Sequence, residues 1–213
     1  SVATLGVRVK QNGSLKIKSL GSVMIYVELL NDSKLDLKIN SDGYCHVTCA
    51  QSKGSDCSLT SKSSGDYNRV ELISVLQDES NVTMDARFLG RGDERYDIYT
   101  CSIHQGRESK SDLVTKGVVM DKSKAVSRGM VKIEEGAFGS EGYEKLDTMI
   151  FDRTAEADAI PNLLIHNHDV KCSHGATVGH LSDELLFYMM SRGLSESEAK
   201  NQIVEGFLSW GEE

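Results

Sequence analysis

What this chain lacks narrows it first. Its 213 residues hold a single proline, Pro161, which excludes proline-rich linkers between domains. Aromatic residues are only 6% of the total, too few for a long aromatic-lined sugar groove. No stretch approaches the ~20 consecutive apolar residues of a membrane-spanning helix. The opening Ser1-Val2-Ala3-Thr4-Leu5 has no basic flank followed by an apolar run, so no signal peptide is visible. It has no initiating Met either, which leaves room for sequence upstream. Basic side chains are in the minority, 24 against 32 acidic, for a formal charge of −8. That balance argues against a nucleic-acid binder working through bulk electrostatics. The cysteines (Cys45, Cys49, Cys57, Cys101 and Cys172) number five, so they cannot all pair within one chain. With no secretion signal, reduced thiols in a cytoplasmic protein are expected.

The length suits one domain, or one domain with a small appendage, and it can bury a sizeable core. Nineteen glycines point to many short turns. Between the turns the chain reads as short strands. Val23–Leu30 is bounded by Gly21-Ser22 and by Asn31-Asp32-Ser33, and Leu35–Asn40 alternates apolar and polar. Similar runs occupy 69–75, 82–88, 96–103, 118–120, 130–133, 148–151 and 163–165. No amphipathic helical segment separates them, which disfavours a helix-covered βαβ sheet. A sandwich, a barrel or a solenoid remains. Gly-led strands at Gly117-Val118-Val119 and Gly129-Met130-Val131, and the small-residue corner Gly136-Ala137-Phe138-Gly139-Ser140, tilt the choice to a solenoid. A sandwich is the rival, because the run-to-run spacing shows no clean repeat period.

The character changes after Gly179, which divides a β core over 1–179 from a helical segment over 180–213. Ser182 is placed to N-cap a helix, with Asp183 and Glu184 in its first turn. Leu185, Leu186, Met189 and Met190 form its apolar stripe, and Gly193 suits the left-handed C′ position. Ser195-x-x-Glu198 is a capping box opening a second helix to Trp210, with Ala199, Ile203, Val204, Phe207 and Leu208 on one face. Both helices are short and need something to dock on.

One segment concentrates metal-capable side chains, His166-Asn167-His168-Asp169-Val170-Lys171-Cys172-Ser173-His174. On a strand, His166 and His168 share a face, as do Cys172 and His174. Thiolate and imidazole suit zinc, copper(I) or iron, including iron–sulfur clusters in which histidine replaces a cysteine. Closed structural zinc is disfavoured by the missing Cys-x-x-Cys spacing. The plain alternative is a row of polar residues on a solvent-facing strand. Cys45 and Cys49 would share a strand face with Val47 and read better as small core hydrophobes than as ligands, and Cys57 and Cys101 are read the same way. Glu156 and Asp158 fit a solvated turn better than an acid–base couple, and Asp147 and Asp152 are similarly ambiguous. No phosphate loop and no Gly-x-Ser-x-Gly elbow is present.

From about Gly136 to Phe207 the chain resembles the SufB/SufD family, the scaffold proteins of the SUF iron–sulfur assembly system. The likeness is carried by Ser140-Glu141-Gly142-Tyr143, Leu146-Asp147-Thr148, Ala155-Glu156-Ala157-Asp158 with Pro161, and Leu186-Phe187-Tyr188 with Ser191-Arg192-Gly193. Its most specific part is the unbroken segment from Asp169 through Cys172-Ser173-His174 to Gly179.

The resemblance implies a right-handed parallel β-helix (a solenoid) carrying a C-terminal pair of α-helices. It implies two partners. One is a second SufB/SufD-type subunit, in a homodimer or a heterodimer. The other is the ABC-type ATPase SufC, docked on the helices through Leu185, Leu186, Met189, Ile203 and Phe207. It further implies that a transient iron–sulfur cluster, not expected to stay with the purified protein, forms at the paired interface. His174 and Cys172 are then the candidate ligands, with His166 and His168 weaker ones. The SufB branch carries a cysteine nineteen positions before the equivalent histidine, which here is Ala155, so the resemblance implies either the SufD-like branch or an archaeal SufB/SufD homologue that serves both roles with Cys172 in the missing cysteine's place. Such a protein is a scaffold and not an enzyme. Two other readings stay open: an adaptor of the same complex that supplies no ligand, and a β-helix carbohydrate enzyme using Glu156 and Asp158.

Overall fold

A computed structural model that describes residues 2–19 and 21–208 has fourteen strands and two helices, nine of the strands at the runs read from the sequence. The strands are β1 (Ala3–Val9), β2 (Gly13–Ser19), β3 (Val23–Leu29), β4 (Lys34–Ser41), β5 (Tyr44–Gln51), β6 (Asp56–Ser63) and β7 (Tyr67–Leu76). They continue with β8 (Asn81–Gly90), β9 (Arg95–His104), β10 (Lys110–Val119), β11 (Lys124–Ile133), β12 (Glu141–Ile150), β13 (Glu156–Ile165) and β14 (Lys171–His180). Odd-numbered strands stack in chain order into one seven-stranded sheet and even-numbered strands into another. The pairings within both sheets are parallel. Each coil of chain thus gives one strand to each sheet, which makes a parallel β-solenoid and removes the sandwich reading.

The register explains why no repeat period is visible in the sequence. Ala3 pairs with Val23, Tyr67 with Arg95 and Lys124 with Glu156, so the coil lengthens from 20 residues through 28 to 32. A corner motif repeats nonetheless. Asp32, Gly54, Glu79, Glu108 and Gly139 all take a left-handed conformation, with φ between 54° and 71°. Each is followed by a fully buried serine: Ser33, Ser55, Ser80, Ser109 and Ser140. The first four hydroxyls donate back to the carbonyl three residues earlier, at 2.7–3.1 Å. Corners also stack directly, since Asp32, Gly54, Glu79, Glu108 and Gly139 each donate their N–H to a carbonyl of the next corner. Buried backbone must find partners, and this ladder supplies them.

Inward positions of both sheets fill the core with Ile25, Leu37, Val47, Leu59, Leu72 and Met84, all fully buried. Two glycines read as strand leaders lie well inside their strands instead, Gly117 in β10 and Gly129 in β11. Their missing side chains make room inside the solenoid, for the Phe88 ring at Gly117 and for the Glu144 carboxylate at Gly129. The expected corner at 136–140 is the turn between β11 and β12.

The helices are α1 (Asp183–Ser191) and α2 (Glu196–Leu208). Ser182 caps α1 by accepting from the Leu185 N–H, and Gly193 takes φ +97°. The capping box of α2 closes in both directions, with Ser195 N–H to Glu198 at 2.8 Å and Glu198 N–H to Ser195 Oγ at 3.3 Å. Its expected extension to Trp210 lies outside the described residues. Val204 and Leu208 of α2 pack with Val118 of β10 on the solenoid flank, and Phe207 joins them.

Candidate functional site

A solenoid must end somewhere, and the last strand of each sheet keeps one unpaired edge. Here these are β13 and β14, each with a neighbour on one side only. Inward side chains of β14 therefore face the space between the sheets with no further coil above them. Cys172, His174, Ala176 and Val178 occupy that row, in register with Gly142, Glu144, Leu146 and Thr148 of β12. Cys172 is half-buried and His174 is exposed. The strand thus delivers the expected pairing of these two donors on one face.

The Cys172 thiol lies over Gly142, where the absence of a side chain admits it: a Cβ on Gly142 would stand 3.3 Å from Sγ. Burial, and secondarily the charge of Glu144, push the thiol pKa up to about 11. At neutral pH it is a thiol, and a metal or another cation is needed to draw off its proton.

Glu144 is the residue that sequence reasoning missed. It stands next to His174 across the β12–β14 ladder, points inward, and is completely buried. Neither carboxylate oxygen makes a well-formed hydrogen bond, and the backbone N–H of Asn162 is the donor nearest to acting on it. Burial pushes its pKa up to about 7, with the Asn162 N–H pulling weakly the other way. The available signal was its phase: in β12 it alternates with Gly142 and Leu146, which places a charge among inward residues.

One coil below, a buried polar network begins. The fully buried His104 ring is held between Ser109 Oγ and Ser111 Oγ, both at 2.8 Å. Burial lowers its pKa to about 4, so this imidazole is neutral. Ser111 Oγ and Cys172 Sγ both flank the open face of Gly142.

His166 and His168 are not on a strand. β13 ends at Ile165, and both histidines are exposed in the turn before β14. The turn is organised by Asn167 between them, whose side chain donates to Glu135 O at 2.7 Å and accepts from the Asp169 N–H at 2.8 Å. With Asn167 turned in, its neighbours turn out, so neither joins Cys172. Glu156 and Asp158 lie on the outer face of β13 and not in a turn, exposed, with Glu156 ion-paired to Lys124 at 2.8 Å. Cys45, Cys49, Cys57 and Cys101 are buried, as core cysteines should be. Among the described residues no group of three His, Cys, Asp or Glu side chains is arranged to hold a metal ion.

The helical pair divides its work. α2 turns Phe207 toward the solenoid, where Lys116 stacks on its ring at 5.7 Å, and Ile203 is half-buried. α1 has no buried residue. Leu185 is exposed while Leu186 and Met189 are half-buried, and the most exposed apolar groups are Phe187 and Tyr188, at 73% and 53%. No helix is long and apolar enough to cross a membrane among the described residues.

Comparison with known proteins covers nearly the whole chain. Residues 19–207 match the model of the SufBD core domain of SUF-system iron–sulfur cluster assembly. A SufBD-family iron–sulfur cluster assembly protein of Staphylococcus saprophyticus is 36% identical over 126 residues, 59% of this chain and 27% of that protein. The iron–sulfur cluster assembly protein SufD of Escherichia coli is 38% identical over 94 residues, 44% of this chain and 22% of its own length. SufD of Bacillus subtilis is 34% identical over 121 residues, 57% of this chain and 28% of its own length. The chain thus spans between about a fifth and a little more than a quarter of the length of these relatives.

Proposed function

Because this chain belongs to the SufB/SufD family of SUF iron–sulfur cluster assembly proteins, we propose that it is one half of a scaffold on which a nascent cluster is built. In this reading the open end of the solenoid pairs with a second SufB/SufD-type subunit. The cluster is the cargo, and Cys172 and His174 are its ligands from this side. The observation that carries the reading is the placement of these two donors on the uncovered inward face of β14. Two donors leave a coordination sphere incomplete, so a second subunit is needed to close it.

Helix α1 is the proposed grip for the SufC-type ATPase. A short helix with Phe187 and Tyr188 in solvent and no buried residue gains stability by docking an apolar partner surface. Movement of two docked ATPases would part or twist the paired solenoids and open Cys172 and His174 to iron and sulfide. Ligation then exchanges the Cys172 proton for metal.

The test is a reconstituted assembly with the ATPase and a partner subunit, followed by the absorbance of the forming cluster. His174→Ala and Cys172→Ala should each reduce cluster formation sharply. Undiminished formation in both would leave this chain the role of an adaptor without ligands. Pull-down of the ATPase by the wild-type chain, and its loss on truncation after Gly179, tests the docking helices.

A further inference from the structure

We propose that the outer face of β2, β4 and β6 carries an anion-binding cleft whose ligand is a short polyphosphate group. The inference stands apart from the reading of Cys172 and His174, since β2 and β14 lie at opposite ends of their sheet.

Strand alternation and register assemble the site. In β2 the side chain of Ile17 packs against the core, while Lys16 and Lys18 on either side of it are exposed. The parallel register then sets Lys16 beside Lys38 and Lys38 beside Thr60. It likewise sets Lys18 beside Asn40 and Asn40 beside Lys62. Neighbouring strands run ~4.8 Å apart and same-face positions along a strand ~6.8 Å, so four lysines share a patch of about 10 Å by 7 Å. These six residues line one cleft of about 270 Å³. That is just under the ~300–1,000 Å³ of pockets for drug-sized molecules, so its occupant is small.

Most of this charge lacks a partner. Lys16, Lys18 and Lys62 make no ion pair among the described residues. Lys38 stands 4.0 Å from the Asp36 carboxylate on its own strand. On the next strand, β8, Arg87 is already bonded to Asp85, so the unbalanced charge stops at β6. Like charges in register on neighbouring strands repel, as those of Lys16 and Lys38 do. The first 22 residues hold four basic and no acidic side chains, although the chain as a whole carries −8. A face that gathers positive charge against that balance is stabilised by an anion bound to it.

The lining decides the class of anion. Lysine binds phosphate as a point charge, and Asn40 and Thr60 add an amide and a hydroxyl able to donate to phosphate oxygens. No aromatic ring lines the cleft, so a nucleobase has nothing to stack on. Ile39, between Lys38 and Asn40, is buried in the core, so a docked peptide would find no apolar anchor. What remains is dense negative charge on a small body. Inorganic polyphosphate and the phosphate tail of a nucleotide share that chemistry.

Calorimetric titration of the 213-residue chain with inorganic tripolyphosphate tests the cleft. Wild type should bind, and more weakly as salt rises. The double variant Lys18→Gln/Lys62→Gln should bind about 10-fold more weakly or worse, whereas Lys10→Gln, outside the cleft, should stay within about 2-fold of wild type. Lys18→Arg/Lys62→Arg keeps both charges and should retain binding, which separates lost charge from a disturbed fold. No binding by wild type, or the same affinity in the double glutamine variant, overturns the proposal; so does an equal loss in Lys10→Gln, which would mean bulk charge alone. Adenosine triphosphate should match tripolyphosphate within about 5-fold while adenosine fails to compete, and a larger preference for the nucleotide overturns recognition through phosphate alone. A glutamate-rich peptide of equal charge should bind more weakly, and equal or tighter binding would replace polyphosphate by an acidic protein segment.

Discussion

The Glu144 carboxylate occupies the volume that a side chain on Gly129 would need. The two residues sit on opposite sheets, β12 and β11, and each explains the other. Gly129→Ala must therefore displace a buried charged group and should destabilise the chain by about 1–3 kcal/mol through overpacking. Truncating the obstacle should relieve it. The double variant Gly129→Ala/Glu144→Ala should be more stable than Gly129→Ala alone, a non-additivity that urea unfolding would measure.

Stability should carry two opposed pH dependences. Glu144 has its folded pKa raised from 4.5 to about 7, so the folded state holds the extra proton between those values and stability falls as pH rises through them. His104 has its folded pKa lowered from 6.5 to about 4, so the unfolded state holds the extra proton and stability is lost as pH falls through that window. In wild type the two largely offset. Glu144→Gln removes the first alone, so its advantage over wild type should grow from pH 4.5 to 7 to on the order of 3 kcal/mol and then level off. Chemical denaturation at stepped pH checks this, and a pH-independent difference would contradict it.

Thiol reactivity should single out one cysteine. Cys172 is half-buried, whereas Cys45, Cys49, Cys57 and Cys101 are buried. In the native chain a disulfide reagent should modify Cys172 alone, slowly at neutral pH and faster as pH climbs toward 11, because the thiolate is the reactive form. The other four should react only after denaturation.

The two helices should respond differently to mutation. Val204→Ala and Leu208→Ala remove side chains packed with Val118 and should destabilise the helix–solenoid contact by about 1–3 kcal/mol. Phe187→Ser and Tyr188→Ser alter exposed groups and should leave the melting temperature within about 2 °C while abolishing capture of the ATPase. Loss of capture by Val204→Ala with none by Phe187→Ser would place the docking surface elsewhere.

Local signals were legible wherever their physics is local. Strand alternation in Leu35–Asn40, the cap at Ser182 and the box between Ser195 and Glu198 depend on residues at most a few positions apart, and all three form. Cys172 and His174 share a face for the same reason: a strand alternates. The histidines at 166 and 168 fit the same rule on paper, but the strand stops at Ile165 because Asn167 ties down a turn.

The amino-acid order alone thus determined strands, caps, buried cysteines and the donor pair at 172 and 174. Tertiary structure alone decided the rest: that strands pair in parallel with partners 20 to 32 residues away, that Gly129 makes room for Glu144, and that β14 is left uncovered. Those relations join positions whose separation drifts from coil to coil, so no fixed spacing encodes them. They exist only once the stacked corners have set the register.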